Sequence, residues 1–113
     1  MLRVGFARVR PEKEQRLRAW LVELSRRLDE VLESFARETT RHEQVFIVIG
    51  QDGPLLVYVI EAGDIEHASD AYKNSPLAID KEHRAVLEEC LLERLRVDPL
   101  FECAVQAFRE DAA

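Results

Sequence analysis

Six segments of regular hydrophobic spacing follow one another along the 113-residue chain. Apolar residues at every second position, or a short dense run of β-type apolar residues, predict a strand, whereas apolar residues three and four positions apart predict an amphipathic helix. By these criteria the order is strand, helix, strand, strand, helix, strand. The predicted segments are residues 2–9, 17–35, 39–50, 55–62, 64–95 and 100–108. This order is typical of the ferredoxin-like β-α-β-β-α-β fold, an α+β class with an antiparallel four-stranded sheet.

Turn and capping residues separate these segments. Asp52-Gly53 lies between two apolar runs and indicates a β-hairpin. Asp64 is predicted to cap the second helical region at its N-terminus. Asn74-Ser75-Pro76 interrupts that region, so we expect a second helical segment from near Asp80 to about Leu95.

The two central strands are apolar on both faces. Residues 45–49 and 55–60 carry apolar side chains at nearly every position, whereas a sheet with one solvated face should alternate. Both crossover helices of this fold pack on the same face of the sheet. We therefore expect a second copy of the chain to cover the other face, which predicts a homodimer and the architecture of a dimeric α/β barrel.

Composition indicates a folded protein with a core of its own. The chain is 47% apolar and 34% charged, and we expect residues 1–113 to form a single ferredoxin-like α/β-barrel domain. No apolar run is long enough to span a bilayer, and the first residues lack a signal peptide's apolar core. Cys90 and Cys103 have apolar neighbours and are predicted to be buried thiols in a reducing cytoplasm; nothing supports a disulfide between them.

The net charge of −6 is uneven but does not indicate binding to nucleic acid. Residues 1–41 carry +3 and residues 42–113 carry −9, and several of the N-terminal arginines follow a glutamate by four residues. A nucleic-acid-binding protein normally carries a clustered basic face. A glycine-rich phosphate loop is also excluded, because the chain has four glycines and no such motif.

His83 is the strongest candidate for chemistry. Helical spacing places it on the same side as Ile79, Val86 and Leu87, so the imidazole should face the sheet. Asp80 lies one turn earlier, where a carboxylate can orient an imidazole and set its tautomer for a general base. The simpler alternative is structural, with Asp80 capping the helix and His83 bonded to a buried carbonyl. Tyr58 is a third candidate, because its hydroxyl lies in an apolar strand and needs a partner there.

The sequence predicts neither a metal nor an organic cofactor. Asp80 and His83 could supply two ligands, but a third would have to come from elsewhere, such as His42, Glu43 or His67. No short chelating motif is present. Cys90 lies two helical turns from His83, too far for a nucleophile–base pair within one helix.

Two segments resemble a family of small bacterial proteins of uncharacterised function. They are the run from Arg8 to Glu14 before a leucine-rich helix, and Ile79-Asp80-Lys81-Glu82-His83-Arg84 followed by Glu89-Cys90-Leu91. The family is similar to the dimeric α/β-barrel group, which includes antibiotic-biosynthesis monooxygenases, haem-degrading enzymes, muconolactone isomerases and stress-responsive proteins. The resemblance implies the architecture and a dimer, but no catalytic residues.

Two functions stay open from the sequence. The first is a cytoplasmic homodimer that binds a small, largely apolar molecule between sheet and helices, as a cofactor-independent monooxygenase- or isomerase-like enzyme with His83 as base. The alternative is a non-enzymatic dimeric interaction or stress-response module. Neither involves nucleic acid or a membrane.

Overall fold

A computed structural model describes residues 1–105, and the elements named below lie within that range. In chain order they are β1 (Leu2–Val9), a 3-10 turn (Pro11–Lys13), α1 (Glu14–Arg26), α2 (Leu28–Glu38), β2 (Thr40–Gly50), β3 (Gly53–Ala62), α3 (Ile65–Lys73), α4 (Ala78–Cys90) and β4 (Leu91–Val97). The four strands form one antiparallel sheet in the order β2-β3-β1-β4. The predicted ferredoxin-like α+β fold is confirmed.

The turn and cap residues act as their sequence indicates. Gly50 pairs with Gly53 at the closed end of the β2–β3 hairpin. Gly53 has a φ of 113°, a conformation that a residue without Cβ adopts readily. Asp64 caps α3, because its side chain accepts a hydrogen bond from the backbone N–H of His67 at 3.0 Å.

The long first helix is divided into two. α1 ends at Arg26 and α2 begins at Leu28, with Arg27 outside helical geometry at φ −123° and ψ 41°. The Arg27 guanidinium contacts Glu30 on α2 and Glu82 on α4, and this contact between helices has no signature in the local sequence. Beyond the break, Leu28 and Leu32 are 58% and 61% exposed, so they do not belong to the buried stripe.

The last strand lies earlier than predicted. Helix α4 ends at Cys90, and residues 91–97 form β4 instead of continuing the helix to Leu95. Residues 100–105 form no strand, which makes the prediction for 100–108 wrong there, and residues 106–108 lie outside the described part of the chain. Pairing with the edge of β1 explains the difference, because it stabilises the short alternation from Arg94 to Val97 as a strand.

The helices pack on one face of the sheet. Its central residues there are Ala7 and Val9 of β1 and Leu56 of β3, all buried. Leu17 and Trp20 of α1 and several residues of α4 complete the same cluster, the latter being Ile79, Val86 and Cys90. Cys90 is a free, buried thiol as predicted, but Cys103 is exposed, because it follows β4 in a segment without strand structure.

The opposite face of the sheet is apolar and open. The register aligns Phe46, Val57, Phe6 and Leu95 in one row across all four strands. Phe46 is 46% exposed and Leu95 is 56% exposed, and Val48 and Val97 beside them are also exposed. No helix in the described chain is long and apolar enough to cross a membrane.

Candidate functional site

His83 lies in the middle of α4 and contacts α1 through Trp20. Its Nδ1 accepts a hydrogen bond from the indole Nε1–H, with a nitrogen-to-nitrogen distance of 2.7 Å. Because Nδ1 is the acceptor, the proton of the neutral ring resides on Nε2. The ring can therefore donate a hydrogen bond through Nε2–H. The partner of its Nδ1 is the Trp20 side chain rather than a backbone carbonyl.

The surroundings of His83 disfavour its charged form. Burial lowers the pKa of His83 to about 4; the nearby Asp80 carboxylate opposes this shift, and Arg94 of β4 adds to it. The hydrogen bond from Trp20 also disfavours the charged imidazolium, because the imidazolium carries a proton on Nδ1 and cannot accept a hydrogen bond there. His83 is therefore neutral at pH 7.

We predict that His83 stays neutral down to about pH 5. Its folded pKa lies below the ordinary value of 6.5, so the folded state should lose stability as the pH falls from 6.5 towards 4. An NMR titration of the imidazole carbons checks this, with the exposed His42 and His67 assigned by substitution. A midpoint above pH 6 for His83 would contradict the prediction.

Two aromatic rings enclose His83. The centroid of Trp20 is 6.0 Å from that of His83, and the edge of Tyr72 approaches at 5.8 Å with an interplanar angle of 73°. A guanidinium lies near the outer face of each aromatic ring, Arg27 at 5.9 Å from Trp20 and Arg84 at 5.7 Å from Tyr72. These contacts fix the walls of the site at the junction of α1, α3 and α4.

The Tyr72 hydroxyl is buried without a partner. Within residues 1–105 its Oη is the buried side-chain polar atom for which no hydrogen bond forms. Burying such a group unpaired costs about 1–3 kcal/mol. Burial also raises the pKa of Tyr72, so the phenol keeps its proton and can donate it in a hydrogen bond.

A second polar cluster joins α2 to α4 next to these rings. The Ser34 hydroxyl lies 2.7 and 2.9 Å from the two oxygens of Asp80 and 2.9 Å from Glu38 Oε2. Thr40 Oγ1 donates to the other Glu38 oxygen at 3.0 Å. Thr39 makes this contact possible, because its left-handed conformation with φ 62° reverses the chain between Glu38 and Thr40.

In this cluster one hydroxyl lies between two carboxyl groups. A serine hydroxyl has one hydrogen, so it can donate to Asp80 or to Glu38 but not fully to both. Burial raises the pKa of Glu38, and the Asp80 charge adds to the shift. The hydrogen bonds that Glu38 accepts from Ser34 and Thr40 oppose this rise in its pKa. Asp80 is not a helix cap, since the N-cap of α4 is Leu77.

Glu43 of β2 is a further carboxyl group on the helix side of the sheet. It lies on β2 opposite Ile60 of β3. Two pairs further along, Val45 lies opposite Tyr58, so all four side chains project on the same face of the sheet. Burial raises the pKa of Glu43 to about 7, and the charge of Glu38 contributes. Glu43 therefore exchanges its proton near neutral pH.

Tyr58 lies on β3, the strand next to β2. It pairs with Gly5 of β1, and a Cβ at Gly5 would come within 2.2 Å of the Tyr58 ring. Gly5 thus leaves the space that the phenol fills. Asp80 and His83 are brought together as predicted, one turn apart, whereas no contact joins Tyr58 to His83 within the described residues.

Sequence reasoning missed several residues of the site. Ser34 and Glu38 occupy the buried side of α2 with Val31, at helical spacing, and polar residues on a buried face are a signal that could have been noticed. Tyr72 carried no such local signal, and Glu43 was named only as a possible metal ligand. In the described part of the chain, no group of three His, Cys, Asp or Glu residues is placed to hold a metal ion.

The chain belongs to a family of unknown function, DUF6176, whose pattern matches residues 2–110. No curated protein matches it significantly. Among solved structures, Rv0793 from Mycobacterium tuberculosis is similar with 22% identity and a TM-score of 0.54, over 91% of this chain and 97% of that one. A Nitrosomonas europaea protein, provisionally described as an antibiotic biosynthesis monooxygenase, is similar with 10% identity and a TM-score of 0.55, over 88% and 98%. At these identities the likeness shows the fold alone, and it agrees with the predicted ferredoxin-like fold.

Proposed function

We propose that the chain forms a cytoplasmic homodimer of one barrel domain per subunit, and that each subunit binds a small, largely apolar molecule between sheet and helices. The observation that carries the binding proposal is the Tyr72 hydroxyl, buried without a partner beside His83. A ligand oxygen placed there would accept the hydrogen bond that the described residues do not. The free, buried Cys90 thiol supports a reducing compartment.

The neighbouring groups suit such a ligand. Trp20 and Tyr72 supply apolar ring surface, and His83 Nε2–H supplies a second donor. A carbonyl or hydroxyl oxygen on a planar apolar body matches both features. Sites for small molecules in proteins commonly combine apolar walls with a few such oriented polar groups.

If the protein is an enzyme, these residues favour proton transfer without a cofactor. His83 would stabilise negative charge on a ligand oxygen through Nε2–H. The Asp80 carboxylate, one helical turn away, would keep the surroundings of the imidazole polar. A base role for His83 would require its proton to move from Nε2 to Nδ1, with loss of the Trp20 bond. Glu43, with its pKa near 7, is an alternative proton acceptor that needs no such rearrangement. Tyr58 lies on the same sheet face and could orient the ligand. The fold of the monooxygenase-type neighbours is compatible with this chemistry.

The alternative function is a non-enzymatic dimeric interaction or stress-response module. The observation that favours it is the open apolar face of the sheet, which a second subunit would cover. In that case the cluster of Ser34, Glu38 and Asp80 would only stabilise the fold, and the Tyr72 hydroxyl would not bind a ligand.

Acetophenone is a suitable first probe, because it joins one carbonyl oxygen to an apolar ring. Trp20 is the sole tryptophan, so its indole N–H gives a single NMR signal next to the site. We expect this signal to shift saturably with the probe. In Tyr72→Phe the affinity should fall roughly 5- to 10-fold, the equivalent of one hydrogen bond.

Ser25→Ala is the matched control, since it removes a hydroxyl from the exposed side of α1. It should leave the affinity unchanged. Absence of any saturable shift at millimolar acetophenone, or equal losses in both variants, would contradict the binding proposal and favour the non-enzymatic alternative.

A further inference from the structure

We propose that α3 is a lid over His83 and Tyr72, and that Arg84 is the positioning residue that keeps this lid closed. The inference rests on the proposed binding function, because it concerns how a ligand reaches that site. Its starting point is the Tyr72 hydroxyl, which is shielded from solvent and forms no hydrogen bond within residues 1–105. A ligand oxygen can bond to this hydroxyl only if one wall of the site moves.

α3 is the wall that can move with the least damage to the core. The main core lies between the sheet and helices α1 and α4, and its buried helix residues are Leu17, Trp20, Ile79, Val86 and Cys90. Among the described residues, α3 contributes none to that cluster. Its own buried residues, Ile65 and Ala68, pack with Ala62 of β3 in a separate and smaller cluster. Segments with few buried apolar contacts open locally at a lower free energy than the core does.

The anchors near the start of α3 are exposed. The Arg3 guanidinium lies 3.0 Å from Glu66, in an ion pair whose glutamate side chain is 78% exposed. His67 Nε2 lies 3.1 Å from the Arg37 carbonyl oxygen near the end of α2, also at the surface. Surface ion pairs contribute little to stability, because water solvates both charges. These contacts alone would hold α3 weakly.

Arg84 of α4 provides the stronger anchor at the end of α3. Its guanidinium donates hydrogen bonds to the carbonyl oxygens of Tyr72 and Ser75, the second at 3.0 Å. Tyr72 lies in the last turn of α3, where the helix dipole also favours a positive charge. The guanidinium carbon lies 5.7 Å from the centre of the Tyr72 ring. Arg84 therefore holds both the backbone and the side chain of Tyr72.

This anchor lies directly beside the site. Arg84 follows His83 in the sequence, and the Tyr72 ring approaches the imidazole edge-on with its centroid 5.8 Å away. While Arg84 holds α3, Tyr72 covers one side of His83 and its own hydroxyl is shielded. Release of the two carbonyl oxygens would let Tyr72 move with α3. The two donors proposed for the ligand, His83 Nε2–H and the Tyr72 hydroxyl, would then become accessible in one motion.

Hydrogen exchange of the ligand-free protein tests the lid. The Trp20 indole N–H bonds to His83, so its exchange with deuterated solvent reports opening of the site, and the Ala68 amide reports opening of α3. In Arg84→Gln, which loses two charge-assisted hydrogen bonds, both hydrogens should exchange about 10-fold faster. The Val86 amide in the main core should keep its rate. Arg84→Lys keeps the charge and should show a smaller increase, and it takes the place of the glutamine variant if that variant does not fold.

The kinetics of acetophenone binding add a readout that a purely structural role would not change in the same way. Acetophenone enters through the open state and is held in the closed one, so a looser lid speeds entry and release equally. NMR line shapes of the Trp20 indole should show both rate constants raised about 10-fold in Arg84→Gln, with the dissociation constant unchanged. Arg18→Gln is the matched control, because it removes a guanidinium that pairs with Glu14 on the exposed side of α1. It should change neither exchange nor binding.

The outcomes distinguish the lid from the proposed function. Wild-type exchange rates in Arg84→Gln would overturn the lid, even if acetophenone binds. An equal acceleration at Trp20 and Val86 would also overturn it, since the substitution would then have destabilised the whole fold. Acceleration confined to Trp20 and α3, in a protein that does not bind acetophenone, would support the lid and contradict the proposed function.

Discussion

Replacing Val57 with aspartate should convert the proposed dimer into a folded monomer. Val57 of β3 lies at the centre of the open sheet face. Phe6 of β1 lies on one side of it and Phe46 of β2 on the other. Pairing two such faces would bury about 800 Å² on each subunit, an ordinary area for a stable interface. An unpaired carboxylate in the middle of that area would cost several kcal/mol on association. Sedimentation equilibrium at micromolar concentration measures the change.

Leu32→Asp is the matched control for this experiment. Leu32 is 61% exposed on α2, away from the open sheet face, and the substitution introduces the same charge. It should leave the dimer intact. Circular dichroism would verify that both variants keep the native fold. A monomeric wild-type protein, or a Val57→Asp variant that remains dimeric, would show that this face is not the interface.

Glu43→Gln should stabilise the protein by up to ~3 kcal/mol at pH 8 and change little at pH 4. The folded pKa of Glu43 is about 7, whereas its ordinary value is 4.5. The folded state therefore binds the proton more tightly, and its stability falls as the pH rises from 4.5 through 7. Glutamine mimics the protonated form and escapes this loss. For a chain of this size the gain corresponds to a rise in Tm of roughly 10 °C.

Thermal unfolding followed between pH 4 and pH 8 checks this result. Glu33→Gln is the control, because it removes the same charge from an exposed position on α2. Its effect should be small and nearly independent of pH. A difference between Glu43→Gln and wild type that is the same at both pH values would show that protonation of Glu43 is not its cause.

The elements predicted well are those whose signals are local. Alternation along β1 and the Asp52-Gly53 turn are properties of a few consecutive residues, and the structure agrees with both. β4 was misplaced because Leu87, Cys90 and Leu91 extend the helical spacing, while only four residues from Arg94 alternate. Pairing with β1 decides between the two patterns, and that partner is more than 80 residues away in sequence.

The same distinction applies to the site. The helical phase of His83 and Asp80 is local, and it placed both on the buried side of α4. Their partners come from elsewhere: Trp20 lies 63 residues from His83, and Ser34 lies 46 residues from Asp80. Such contacts depend on how the helices pack. A hydrophobic pattern along one sequence does not contain that information.

The sheet order has a consequence for how the chain is made. β1 is synthesised before the other three strands of this sheet, yet it occupies an interior position between β3 and β4. Ala7 pairs with Leu56 and Arg94, which follow it in the sequence by 49 and 87 residues. During translation the N-terminal strand therefore emerges with both edges unpaired, and the first sheet to form is the three-stranded β2-β3-β1. Until the ribosome releases residues 91–97, one edge of β1 stays open to pairing with other chains, and β4 removes this aggregation hazard by covering that edge.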